Sequence, residues 1–219
     1  MIDIYTCITA GYDDLKKQPS MRGVRYTAFV DGVQRPLPPW AILPVYAGPS
    51  DDPTRRAREM KVLAHNALPT AEYSLWVDGC FVIRPDFRPE RWIVEHMQDA
   101  DLVTFQHTEH DCTYQHATRV VQVGLDNAVV IGAQMARYRA AGLAEHAGMV
   151  QTNVILRRHT EAVRLFDQRW WHEIKEGSRR DQLSFVMAAR ASRLRYVALP
   201  PHERQYFEGK SHRGVRTKP

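Results

Sequence analysis

Apolar residues fall in short blocks along the chain, and the spacing inside each block names an element. Residues 2–9 are mostly apolar and read as a first strand, closed by a turn at Gly11 and Asp13. Residues 26–30 form a second strand ending at Asp31-Gly32. A connection with Pro36, Pro38, Pro39 and Pro44 follows; so many prolines argue for a surface path. Asp52-Pro53 then supplies an N-cap and a first-turn proline, predicting a helix over 53–66 that Pro69 stops. On it, Ala57, Met60, Leu63, Ala64 and Ala67 share one side, and Arg55, Arg58, Lys61 and His65 the other. Residues 73–77 are a compact apolar run of the kind buried on both faces of a parallel sheet, closed by Asp78-Gly79. Further along, the pattern predicts helices over 88–98, 127–141, 159–175 and 180–191, and strands over 102–105, 149–156 and 195–199. Strands alternating with helices indicate an α/β fold with a mainly parallel sheet, mixed towards its end.

With 219 residues the chain has the length of one large domain, and 44% hydrophobic with 25% charged residues is ordinary for a globular protein. Disorder and collagen-like structure are excluded on that composition. The longest apolar runs, such as 128–133, fall far short of the roughly 20 residues of a bilayer span. Nothing at the N-terminus reads as a signal peptide, and Cys7, Cys80 and Cys112 are odd in number with no Cys-x-x-Cys pair. The expectation is a cytoplasmic protein without a transmembrane segment or disulfide framework, which leaves peripheral membrane contact open. The net charge is +5, and residues 200–219 hold five basic and two acidic side chains, so +3 of it sits there. That division predicts a domain over 1–200 and a basic tail over 201–219, either solvated or closing over a phosphate-bearing ligand.

In open α/β sheets ligands sit beyond the carboxyl ends of the strands. Candidate chemistry is therefore sought there. Asp78, closing a buried strand, suits a hard divalent cation or a turn of its own backbone. The stripe of Arg55, Arg58, Lys61 and His65 suits phosphate or a solvated helix face. The segment Gln106-His107-Thr108-Glu109-His110-Asp111, with Tyr114 and His116 beyond, reads as a polar loop at the same sheet edge. It lacks the helical His-Glu-x-x-His spacing of a catalytic zinc site. Arg180, Asp181 and Gln182 open a helix and either stabilise its first turn or reach a cleft.

Two runs, Lys61-Val-Leu-Ala-His65-Asn-Ala-Leu-Pro69 and Tyr73-Ser74-Leu75-Trp76-Val77-Asp78-Gly79, resemble the signature of a glycosyltransferase-like family. That family was long catalogued as a domain of unknown function and has plant mucilage-related and bacterial members. The likeness continues through Tyr5-Thr6, Gly11-Tyr12-Asp13, Gln134, Tyr138, Asn153-Val154-Ile155, Trp170-Trp171 and Arg180-Asp181-Gln182-Leu183-Ser184-Phe185, in order over residues 1–200. It implies a glycosyltransferase A-type fold, a Rossmann-like mixed sheet flanked by helices. It also implies transfer of a sugar from a nucleotide-diphosphate donor, a UDP-sugar first, to a saccharide or other hydroxyl, with a retaining course, Mn2+ or Mg2+, and no nucleic acid.

On that resemblance, Thr6 and Asp31, with Tyr12 and Asp13, would hold the nucleoside. Arg58, Lys61, Gly79, Arg180, Gln182 and Lys218 would face the donor, and Asp78 the donor and the cation. His212 would add a ligand from the tail. Asp181, with His107 or His110 as alternates, would orient or deprotonate the acceptor. In the family's Asp-x-Asp pattern the second carboxylate is here Cys80, a poor ligand for a hard ion. Two other classes remain: a metal-assisted amide or ester hydrolase built on His107 and His110, and a nucleic-acid-binding module using the basic tail. The latter predicts aromatic platforms among the basic residues, whereas Trp76, Phe105, Phe166 and Trp170 sit in apolar periodic segments.

Overall fold

The computed structural model describes residues 1–210 apart from 33, 47 and 49. Strand β1 (Ile2–Ile8) is buried along its whole length. On one flank it pairs in parallel with β2 (Val24–Val30), and on the other with β4 (Tyr73–Val77). Its one acid, Asp3, stands opposite Arg25 in register and takes two hydrogen bonds from it at 2.8 Å, so the buried charge is paired.

The proline-rich connection is not purely surface coil. It contains β3 (Ala41–Pro44), which pairs in parallel with β2 at the sheet edge. An edge strand needs hydrogen bonds on one side only, which is why it tolerates Pro44. Beyond β4, the strands β7 (Val150–Arg158), β6 (Leu102–Gln106) and β8 (Tyr196–Leu199) complete a seven-stranded sheet in the order β3-β2-β1-β4-β7-β6-β8. Only β7 runs antiparallel to its neighbours. The sheet is mixed and mostly parallel, as the strand–helix alternation predicts.

Side chains alternate across the sheet with period two, so adjacent residues serve different cores. Tyr5, Trp76 and Ile155 face a core shared with the large helices, while Ile4, Leu75 and Val154 face a second core. The first core is roofed by α1 (Pro53–Val62), α4 (Thr113–Gln122), α5 (Ala128–Ala140), α6 (Glu161–Glu176) and α7 (Gln182–Ser192). The second is closed by α3 (Pro89–His96) and a small sheet of β5 (Phe81–Ile83) and β9 (Phe207–Gly209).

Three local differences from the sequence pattern bear on the site. The helix expected over 53–66 breaks at Leu63, giving α1 and a short α2 (Ala64–Ala67). Helix α4 arises where a loop was expected; its buried face is Thr113, Tyr114, His116, Ala117 and Val120, helical in spacing but too polar to stand out. The first part of the expected tail is packed: Pro201–Tyr206 forms a 3-10 turn, and Phe207 is buried, its ring 5.0 Å from that of Phe87.

Candidate active site

Strands β1, β2, β4 and β6 point the same way, so their carboxyl ends share one sheet edge. The first residues of antiparallel β7 come to that same edge. The Asp78 amide donates to the Asn153 carbonyl at 2.9 Å, and the His107 amide to the Met149 carbonyl at 2.9 Å. A cleft of about 410 Å³ opens here, within the size range of small-molecule sites. Thr9, Ala10, Tyr12 and Asp13 form one wall, the first turns of α1 with Arg58 another, and Leu125, Arg179 and Arg180 a third. Asp78 and Gly79 close the strand side. A Cβ on Gly79 would stand 3.1 Å from the Ile8 side chain and 3.5 Å from an Asp13 carboxylate oxygen, so the close approach of these segments calls for glycine.

Behind the Arg58 wall lies a cluster of four charges. Lys61 Nζ is 2.6 Å from Asp181 Oδ2 and 3.6 Å from Asp78 Oδ1; Arg58 Nε is 3.1 Å from Asp181 Oδ1. Thr152 donates to Asp181 Oδ2 at 2.8 Å, and Trp76 Nε1 donates to Asp78 Oδ1 at 2.6 Å. Two cations meet two anions, so the cluster is formally neutral. Burial alone would raise the Asp181 carboxyl, but Arg58 and Lys61 more than offset it and hold the group far below the usual carboxylate range. Burial pushes the Lys61 ammonium down, opposed by Asp181 and Asp78.

Arg180 is different. Among the described residues its guanidinium makes no ion pair, and its Nε is buried without a hydrogen-bond partner while the side chain lines the cleft. Its neighbour Arg179 is committed to Asp52 and Asp126.

The positions singled out from the sequence divide accordingly. Tyr12, Asp13, Arg58, Asp78, Gly79 and Arg180 meet in the cleft. Lys61 does not face it. Only 1% of its side chain is exposed, because α1 packs between the sheet and α6 and has no solvated face at that position. The cationic stripe is likewise used inside the protein. Arg55 binds the carbonyls of Ile174 and Gly177, Arg56 pairs with Asp31, and His65 with Asp167.

Asp181 too is set behind the wall, and a carboxylate so strongly stabilised is a weak base. Thr6 lies buried within β1 with an unpartnered hydroxyl, and Thr9 takes its place at the cleft. Asp31 stands one step back, accepting from the Ala10 amide at 2.7 Å. Gln182 reaches the Val150 carbonyl at 3.4 Å. His107 and His110 stack on each other at the end of β6, with His116 edge-on to His107, outside the cleft's lining. His212 and Lys218 lie outside the described residues.

Sequence reasoning missed Thr152, which holds Asp181. The signal was present: Gln151-Thr152-Asn153 is a polar run inside an otherwise apolar strand.

The donor set suits a divalent cation poorly. Among the described residues no three His, Cys, Asp or Glu side chains are grouped to hold a metal. Asp78 is engaged by Trp76 and Lys61. The Cys80 thiol is pushed up to about 12 by burial and then by the Asp78 and Asp13 charges, so it stays protonated. The same finding removes structural support from a zinc hydrolase centred on His107 and His110. Trp76, Phe105, Phe166 and Trp170 are all core residues. Among the described residues no helix is long and apolar enough to cross a membrane.

A mixed, mostly parallel α/β sheet is the fold that the sequence resemblance implies. The profile of the TOD1/MUCI70, glycosyltransferase-like domain family matches residues 6–212. The chain belongs to this family. A probable hexosyltransferase, MUCI70 of Arabidopsis thaliana, is 28% identical over 156 residues, which are 67% of this chain and 26% of that protein. The chain thus spans about a quarter of the curated relative it matches. In fold it is similar to the apo structure of WbbM, a bifunctional glycosyltransferase, with a TM-score of 0.51, 9% identity, and coverage of 90% of this chain and 38% of that one. A glycosyltransferase involved in glycosylation of the major capsid of PBCV-1 is a more distant likeness, with a TM-score of 0.41, 11% identity, and coverage of 74% of this chain and 68% of that one. The fold is of the glycosyltransferase A type.

Proposed function

We propose that this member of the TOD1/MUCI70 family transfers a hexosyl or related sugar from a nucleotide-diphosphate donor, a UDP-sugar first, to a saccharide hydroxyl. The observation that carries the proposal is Arg180: a cleft-lining guanidinium with, among the described residues, no carboxylate partner and an unpartnered Nε. An unpaired buried donor is costly unless a ligand completes it, and a planar guanidinium suits phosphate oxygens. Arg58 stands on the adjoining wall, already tied to Asp181, and adds positive potential without being free to pair fully. Tyr12 and Asp13 line the cleft and would meet the nucleoside, and Asp78 would accept from hydroxyls of the donor.

In the reaction the bond from the sugar to the diphosphate breaks and the acceptor oxygen takes its place. The acceptor proton leaves with the diphosphate or to water. Arg180 and Arg58 act on the charge that develops on the departing diphosphate, which is the main catalytic contribution asked of this site. The buried Lys61–Asp181 pair fixes the Arg58 head rather than moving protons. A retaining course, implied by the family resemblance, needs no dedicated base and agrees with that placement.

The test is nucleotide binding by calorimetry and thermal shift, with UDP, GDP and ADP, each with and without Mn2+, on wild type and Arg180→Ala. A diphosphate nucleotide should bind, and the variant should bind it about 10- to 100-fold more weakly, the loss of one charge-assisted hydrogen bond or more. The unliganded variant should melt as wild type does, since among the described residues Arg180 has no ion-pair partner to lose. No nucleotide binding, or equal binding by the variant, refutes the proposal. A response to Mn2+ would show a metal held with help from outside the described residues.

A further inference from the structure

Beside the cleft, at the carboxyl end of β6, three histidines form one group. Ring centroids of His107, His110 and His116 are 4.7 to 5.3 Å apart. The backbone amides of Glu109 and His110 both donate to His107 Nδ1, at 3.2 and 3.1 Å. In the neutral ring the proton therefore sits on Nε2, which is a donor. His116 is 8% exposed, and Gln182 is the side chain that bears on its ring nitrogens; among the described residues His110 Nε2 is buried without a hydrogen-bond partner. A buried polar atom left open in this way calls for a water or a ligand to complete it. His116 faces Arg180 and Gln182, so Arg180 is the wall shared by this group and the cleft.

We infer that His107, His116 and Arg180 form the subsite for the acceptor saccharide, holding its hydroxyls beside the donor's diphosphate. The inference rests on the transferase reading for the word acceptor, but the subsite itself is read from the histidines. Burial and mutual repulsion lower the proton affinity of both His107 and His116, so the rings are neutral at neutral pH. His107, whose Nδ1 already accepts from two amides, offers a donor, and neutral His116 offers one donor and one acceptor. A sugar hydroxyl also gives and takes, whereas a carboxylate or phosphate only accepts and would meet a lone pair. The three rings do not form a metal site, since among the described residues no such group is arranged to hold an ion. A hydroxyl bound here would lie against Arg180, next to the diphosphate that must leave, which is the proximity that transfer requires.

The experiment uses the full chain with 15N-labelled histidine, saturated with UDP, and follows the imidazole resonances by NMR. The probes are the methyl glycosides of glucose, galactose and mannose, and of glucuronic acid. At least one neutral glycoside should shift the His107 and His116 signals saturably. His107→Gln should weaken that binding about tenfold, one hydrogen bond's worth, while UDP affinity stays at the wild-type value. If UDP binds and none of the glycosides moves these signals, the subsite is wrong. If only the glucuronide moves them, the subsite binds anions and the hydroxyl assignment is overturned. If UDP does not bind but neutral glycosides do, the saccharide subsite stands and the transferase reading fails.

Discussion

Replacing Asp181 by Asn tests the charge cluster that shapes the cleft. The substitution keeps the size of the side chain and removes its charge. It leaves Lys61, with 1% of its side chain exposed, and Arg58, 19% exposed, facing a neutral amide. Their nearest remaining carboxylate is Asp78, 3.6 Å from Lys61 and already bound by Trp76. Removing one partner of a buried ion pair costs about 3–5 kcal/mol, because the charge left behind has no water to turn to. Lys61 limits that cost by releasing its proton, since burial already disfavours its charge. For a domain of this size each kcal/mol lowers the melting temperature by about 2–4 °C, so a fall of roughly 10 °C is expected. Chemical unfolding followed by tryptophan fluorescence and circular dichroism at pH 7 gives the free energy directly. A loss below about 1 kcal/mol would mean that water reaches the cluster, and the argument for a sealed wall behind Arg58 would be wrong.

Gly177→Ala should destabilise by about 1–3 kcal/mol, because the new Cβ would stand 2.5 Å from the Gln134 side chain, which also accepts from the Ser178 amide; an unchanged melting temperature would show that Gln134 moves aside freely. Acid should weaken the fold before its carboxylates titrate. Burial brings His116 and His159 down to about 4, against 6.5 in the unfolded chain, so the unfolded state binds more protons between those values. Their contribution is complete above pH 6.5 and is lost as pH falls towards 4, roughly 2 kcal/mol each after allowing for partial solvation. Urea unfolding at pH 7 and pH 5 measures it, and His159→Gln, whose amide nitrogen stands near the place of Nε2 and can still bond Ser74, should flatten the slope. A slope that is absent in wild type would refute the assignment. Asp181, held low by its two cations, keeps its contribution through this window and loses it only in stronger acid.

Much of the fold was legible in the sequence, and much less of the site. The strands appear because their alternation has a local cause: each residue faces one core or the other, as Ile4 and Tyr5 do. The cap of α1 is equally local, with Asp52 accepting from the Thr54 amide at 2.8 Å. Asp78 and Gly79 at a strand end were readable because parallel strands bring their carboxyl ends to one edge. Helix α4 was missed because its buried face includes Thr113 and His116, and β3 because prolines hide an edge strand.

Which charges are free and which are spent was decided by tertiary packing alone. Lys61, Arg58 and Arg180 look alike in sequence. The first is buried because α1 is covered by both sheet and α6, and it can stay charged there because Asp181 arrives from the start of α7. Arg180, adjacent to that aspartate in the chain, lines the cleft with no carboxylate to meet among the described residues. Local periodicity reports the average polarity of a face. The partner of a buried charge comes from a distant part of the chain, and only the folded arrangement brings it near.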